Sequence, residues 1–264
     1  MKPYIAFSVA LAAAGPALAL ATDYPAIQTR AYSTPQLLFA LRTDTQTLAR
    51  LTPVADPSFD FTPGPREAER QFDGYRHIGD LSLKLRLPGG AWQHYDSYSA
   101  RQPVRVLPAV RVLAAADLGP TMGAGLPLTV ERRWLNDKGT LVLRYTLVNR
   151  GSQAVEVGEA AMPMVFDNMI AGRAPDEAQA SASTVKPHVG DKGLVEVTRL
   201  NGQPPALRVL PDGRTPLSSW QPPAEQRAAN EDYASWVTAG FTLKPGARRD
   251  IGLRFVIRPQ GATR

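Results

Sequence analysis

Apolar and polar residues alternate along most of this chain with a period of two. In Leu81-Ser82-Leu83-Lys84-Leu85-Arg86-Leu87 the alternation is unbroken. Residues 140–148 place Leu141, Leu143, Tyr145 and Leu147 on one side and Arg144 and Thr146 on the other; Ile251, Leu253, Phe255 and Ile257 repeat the pattern near the C-terminus. Successive side chains of a strand point to opposite faces, so this period predicts half-buried β-strands. The same reading places strands at 104–113, 128–134, 155–157, 194–200, 206–210 and 235–243. Turn residues punctuate them, among them Pro88-Gly89-Gly90, Asn136-Asp137-Lys138-Gly139, Asn149-Arg150-Gly151-Ser152 and Lys244-Pro245-Gly246. These supply a positive φ, a fixed φ or an Asx turn. One wet and one buried face per strand is the antiparallel pattern. Many such strands joined by short turns predict an all-β fold, a large antiparallel two-sheet sandwich. Two short surface helices are expected, at 175–181 and 223–230, each opening at a proline. The proline-rich stretch 51–66 and the pairs Pro204-Pro205 and Pro222-Pro223 read as long loops or edge coverings, because proline donates no ladder hydrogen bond.

The N-terminal segment departs from this pattern. Lys2 is followed by an apolar core at 5–14, a Gly15-Pro16 break and two A-x-A sites, Ala17-Leu18-Ala19 and Ala19-Leu20-Ala21. This is the layout of an export signal, so residues 1–21 are expected to be removed and 22–264 to form one domain, periplasmic or secreted. With 44% hydrophobic and 20% charged residues in 264, the chain is neither disordered, collagenous nor coiled coil. After signal cleavage, no membrane association is expected. The absence of cysteine excludes disulfides, thiol catalysis and Cys-bound zinc, and three histidines make a multi-His metal site a poor expectation. No metal or cofactor is therefore anticipated. The formal charge of +6 comes from scattered arginines, with Arg132-Arg133 and Arg248-Arg249 the densest pairs. Arginines interleaved with Asp and Glu read as a solvated surface, and no run resembles a nucleic-acid arm.

Three constellations carry candidate chemistry. In Trp92-Gln93-His94-Tyr95-Asp96-Ser97-Tyr98 a strand places Trp92, His94, Asp96 and Tyr98 on one face. Aromatic rings beside polar groups suit a sugar, whose C–H face stacks while its hydroxyls find partners. The plainer reading is cross-strand aromatic packing, with Asp96 ending the strand. Met162-Pro163-Met164-Val165-Phe166 reads as a buried strand or bend that presents Asp167 and Asn168 at its end, with Arg173 close behind; the alternative is an Asx turn. His188, near Asp191, is either a loop general base or an exposed turn histidine. Glycoside hydrolysis needs two carboxylates at a set separation, which strand spacing alone does not identify. No G-x-S-x-G, Walker, H-E-x-x-H or C-x-x-C motif is present.

Two groups of segments carry a family resemblance. One is Val130-Glu131-Arg132-Arg133-Trp134, 141–149, 155–158 and Met162-Pro163-Met164-Val165-Phe166-Asp167-Asn168. The other is 197–202, 207–211, Leu243-Lys244-Pro245-Gly246 and Gly252-Leu253-Arg254-Phe255. Together, over roughly 23–259, they resemble the N-terminal part of an uncharacterised family of secreted bacterial and fungal proteins with six-hairpin-glycosidase-like architecture. The resemblance implies a β-supersandwich similar to the galactose-mutarotase fold, followed by a catalytic helical toroid. The toroid is expected to begin about where this sequence ends, so no catalytic residue is carried over. The expectation is an accessory, carbohydrate-related β-supersandwich whose partner is a glycan or a catalytic helical domain, its oligomeric state open. Two rivals stand beside it: a carbohydrate epimerase or lyase acting on its own sheet, and an envelope binding or assembly protein using a sheet edge.

Overall fold

A computed structural model describes residues 27–62, 76–99, 102–166, 185–189, 195–199, 204–212, 220–228 and 231–258, with backbone only at 185–189, 220–228 and 231–234. The strands form three antiparallel sheets. β1 (Thr29–Ser33), β2 (Leu37–Arg42) and β3 (Leu48–Pro53) make a three-stranded sheet. β4 (Ser82–Arg86), β5 (Gln93–Asp96), β10 (Val155–Met164), β14 (Trp220–Ala228) and β15 (Glu231–Thr238) run in the order β14-β15-β10-β4-β5, with β16 (Phe241–Leu243) also against β10. The largest sheet contains β6 (Arg105–Val106), β7 (Ala114–Asp117), β8 (Thr129–Asp137), β9 (Thr140–Val148), β11 (Val185–Val189), β12 (Val195–Arg199), β13 (Ala206–Pro211) and β17 (Arg248–Arg258), ordered β11-β12-β13-β17-β9-β8-β7-β6. The fold is all-β, and the one helix among the described residues, α1 (Gly119–Met122), is a single turn after β7.

Alternation builds the sandwich. Leu83, Leu85 and Tyr95 of the six-stranded sheet and Leu141, Leu143, Tyr145, Leu253 and Phe255 of the eight-stranded sheet share one buried core. The β8–β9 hairpin turns on Lys138 and Gly139, both at positive φ (51° and 90°), as a two-residue hairpin loop favours. Asn136 Oδ1 accepts from Gly139 N at 2.8 Å and holds that turn.

Five sequence expectations are corrected. Residues 223–228 are strand, not helix: β14 is an edge strand paired to β15, and Pro222-Pro223 fall at its register shift between Gln221 and Ala224, where proline costs no ladder bond. Of 104–113 only Arg105–Val106 are strand. The N-terminal three-stranded sheet escaped the period-two pattern. In β2, Leu37, Phe39 and Leu41 are buried, but Leu38 and Ala40 on the opposite face are apolar too, which hides the alternation. The stretch 51–62 is not a plain loop, because it begins in β3 and buries Phe59 and Phe61. Finally, Arg132 is not at the surface: it is 1% exposed, and Arg42 and Arg144 are buried as well. The helix expected at 175–181 lies outside the described residues.

The outer face of the eight-stranded sheet is a lattice of ion pairs. Arg144 binds Asp212, Arg254 binds Asp137 at 2.8 Å, Arg208 binds Glu196 at 2.9 Å, and Arg133 pairs with Glu131. Each of these arginines meets an acid on the same face, so the chain's net positive charge does not form a bare basic patch here.

Candidate functional site

The outer face of the six-stranded sheet collects the chemistry expected of 92–98. On β5, Tyr95 turns into the core and donates its hydroxyl to Gly125 O at 3.0 Å. His94 and Asp96 therefore face outward, opposite Lys84 and Ser82 of β4. β10 completes the face. Its alternation changes phase at a bulge between Val157 and Glu159: Val155 and Val157 are buried before it, Ala160, Met162 and Met164 after it. One extra residue flips the faces, so Glu159, Ala161 and Pro163 join His94 outside. The bulge also explains why 155–157 and 162–164, read as separate segments, are one strand.

Trp92 covers the bulge. A Cβ on Gly158 would lie 2.9 Å from the Trp92 ring, so only glycine admits the indole there. Trp92 is 40% exposed, with the Arg86 guanidinium 4.4 Å and the Lys84 ammonium 5.6 Å from its ring centroid. Arg86 also pairs with Glu156 at 2.6 Å. Further along the face, His94 Nε2 and Ser82 Oγ share a hydrogen bond of 3.0 Å. The Arg76 guanidinium lies 4.6 Å from the Tyr98 ring centroid. Arg76, Ser82, His94, Tyr98, Glu159 and Ser235 line a small cavity of about 110 Å3. The structure thus brings Trp92, His94, Asp96 and Tyr98 to one face. Asp96 serves the turn that ends β5: it accepts from Tyr98 N (3.1 Å), Ser99 N (2.7 Å) and Ser99 Oγ (2.9 Å).

The other candidates do not join this group. Asp167, Asn168 and Arg173 lie outside the described residues. His188 is on a strand rather than in a loop, because β11 pairs with β12 and sets it opposite Glu196. Glu159, Ser82 and Arg76 were not singled out from the sequence, and the bulge that aims Glu159 outward leaves only Gly158 as its local trace. A second polar cluster is buried. Asp80 accepts from His77 N at 2.7 Å and from Ser97 Oγ at 2.8 Å, and Tyr145 donates to Asp80 O at 2.9 Å. Burial pushes the Tyr145 phenol far above its usual range. At 4% and 1% exposure, His77 and Asp80 hold the chain between sheets rather than meet solutes.

Solved structures share the fold. A polysaccharide lyase superposes with a TM-score of 0.64 at 15% identity, over 86% of this chain and 33% of its own length. The Slr1438 protein of Synechocystis sp. PCC 6803 superposes with a TM-score of 0.54 at 11% identity, over 88% of this chain and 96% of its own. A galactose mutarotase-like protein from Lactobacillus casei reaches 0.43 at 10% identity, covering 88% of this chain and all of its own. This chain thus spans about a third of the length of the lyase. No curated protein matches it in sequence. Residues 40–245 match one family along most of the length, and the chain belongs to that family, the family of unknown function DUF5695.

Proposed function

We propose that this chain is the carbohydrate-contacting β-supersandwich of an exported, glycoside-hydrolase-like protein, an accessory unit beside a catalytic helical domain. The carrying observation is the strip on the outer face of the six-stranded sheet, where Trp92 and Tyr98 flank His94. From Trp92 to Asp96 the strand rise gives about 13 Å, room for more than one sugar ring. The 110 Å3 cavity beside His94 is smaller than the roughly 300–1,000 Å3 of ordinary small-molecule sites. It suits one substituent of a ring lying on the face. The lyase, in which this fold makes up a third of a longer chain, supports the accessory role. Titration calorimetry against a glycan panel tests the reading. Binding that weakens roughly tenfold or more in Trp92→Ala upholds it; no binding by any glycan removes sugar contact and leaves only a scaffold.

A second reading rests on His94 and Glu159 lining the same cavity. A histidine and a carboxylate that converge beside Tyr98 have the makings of a general acid and base, as an epimerase or lyase acting on the sheet requires. Polarimetry with freshly dissolved sugar anomers, and ultraviolet absorbance with uronate polymers, test it. Activity lost in both His94→Ala and Glu159→Gln upholds catalysis, and no activity in the parent chain overturns it.

A further inference from the structure

A cavity of about 890 Å3 lies on the three-stranded sheet and borrows no residue from the six-stranded one. Its floor is the sheet's outer face. Ala31 of β1 stands opposite Ala40 of β2, and Ala40 stands opposite Arg50 of β3. The two alanines leave a flat apolar patch, and Leu38, 36% exposed, extends it. One wall is the 57–60 loop. Arg50 Nη2 donates to Pro57 O at 3.0 Å. Asp60 Oδ1 accepts from Leu51 N, Thr62 N and Thr62 Oγ1 at 3.1, 2.9 and 2.8 Å. The other Asp60 oxygen lies 4.0 Å from Arg50 Nε, whose side chain is 57% exposed. The wall is built in, because Arg199 pairs with Asp56 and lies 4.2 Å from the Phe59 ring centroid, tying the loop to β12.

This arrangement selects among ligands. The volume falls within the range of small-molecule sites. An acyl chain seated here would strip water from the Arg50 guanidinium, whose side chain is 57% exposed, and offer no acceptor in its place, which is costly. A peptide strand adds to a free edge, not to a face. A phosphate meets the Asp60 carboxylate. A pyranose fits all three features: its C–H face is flat and apolar, and each ring hydroxyl both donates and accepts. We propose that this groove is a second sugar site, seating a pyranose of a neutral oligosaccharide with its C–H face on Ala31 and Ala40 and adjacent hydroxyls between Arg50 and Asp60.

The test uses the full chain and three variants, Arg50→Ala, Ala40→Leu and Trp92→Ala, each checked for an unchanged thermal midpoint. The probes are tetrasaccharides of the cello, malto, xylo, manno and galacto series, followed by saturation-transfer NMR and calorimetry. The groove is upheld if a tetrasaccharide binds and both Arg50→Ala and Ala40→Leu weaken it about tenfold or more. If Trp92→Ala leaves that binding intact, the groove stands and the sheet-face reading falls. If Trp92→Ala alone abolishes binding, the groove falls and the sheet-face reading stands. If no tetrasaccharide binds, the groove is overturned.

Discussion

Arg132 carries a guanidinium at 1% exposure, with the Asp80 charge acting on it from a distance. Its hydrogen bonds go to Gly79 O and Thr45 O, and burial pulls its pKa down from the ordinary arginine range. Those two carbonyls have no water to turn to, and an unmet buried acceptor costs about 1–3 kcal/mol. Arg132→Ala is therefore expected to lower stability by about 3 kcal/mol or more, read as a lower urea midpoint at unchanged m-value. The sequence did hold the signal. Val130, Arg132 and Trp134 share one parity, and the flanking two are fully buried; parity places Arg132 inside, while its charge points outside. Asp60 gives a pH prediction. Burial raises its carboxyl above the usual range, against the pull of the Thr62 and Leu51 amides, the Thr62 hydroxyl and Arg50. A raised folded-state pKa means the protonated acid favours folding, a contribution present below the unfolded value and lost as pH rises through the folded one. Asp60→Asn cannot ionise, and its Oδ1 keeps the three donors. Its melting temperature relative to the parent should therefore fall as the pH drops through the raised folded-state pKa toward the ordinary aspartate range; a gap independent of pH would rule out the burial effect.

At the scale of elements, two glycines show how the neighbour decides the cost of a methyl group. A Cβ at Gly252 would meet Leu143 O at 2.4 Å and Arg144 Cα at 3.2 Å, across the β17–β9 pairing. Backbone cannot step aside, so Gly252→Ala should cost about 3 kcal/mol or more, or block folding. At Gly158 the obstacle is the far end of the Trp92 side chain. Gly158→Ala should cost about 1 kcal/mol and change Trp92 fluorescence. In a Trp92→Ala background that cost should vanish, giving a coupling energy of the same size; an unchanged cost would mean that the bulge itself, not the indole, requires glycine. The same bulge marks the limit of what sequence pattern reveals. β4, β9 and β17 were legible because each keeps one phase from end to end. β10 was legible only in halves, because one extra residue exchanges its faces, and Glu159 was missed with it. β2 was illegible for a different reason: its outer face is apolar where the groove floor lies. Both failures fall at candidate sites, where local pattern yields to a surface shaped for contact.

Across the whole molecule, one hydrophobic core reaches all three sheets. It includes Leu37, Phe39 and Leu51 of the three-stranded sheet, Leu83, Val157 and Met162 of the six-stranded and Leu143, Val209 and Phe255 of the eight-stranded. Phe39 and Phe255 both approach Trp134, at 6.1 and 6.3 Å between ring centroids. Polar staples follow the same route: Trp134 Nε1 donates to Gln46 O at 3.0 Å, and Arg132 reaches Thr45 O next to it. The three-stranded sheet thus shares its inner face and its connecting loop with β8, and the loop after β3 is tied to β12 through Arg199. The three sheets are therefore expected to unfold as one unit, with a calorimetric enthalpy equal to the van't Hoff enthalpy. The informative variant is Arg132→Ala, which removes from β8 the side chain that reaches Thr45 O in the β2–β3 connection and so loosens the join. If the molecule is one cooperative domain, this variant shifts a single transition to lower temperature. If the three-stranded sheet is only docked on a separate sandwich, the same variant splits the transition in two, and amide exchange in β1 to β3 accelerates while β9 and β17 stay protected.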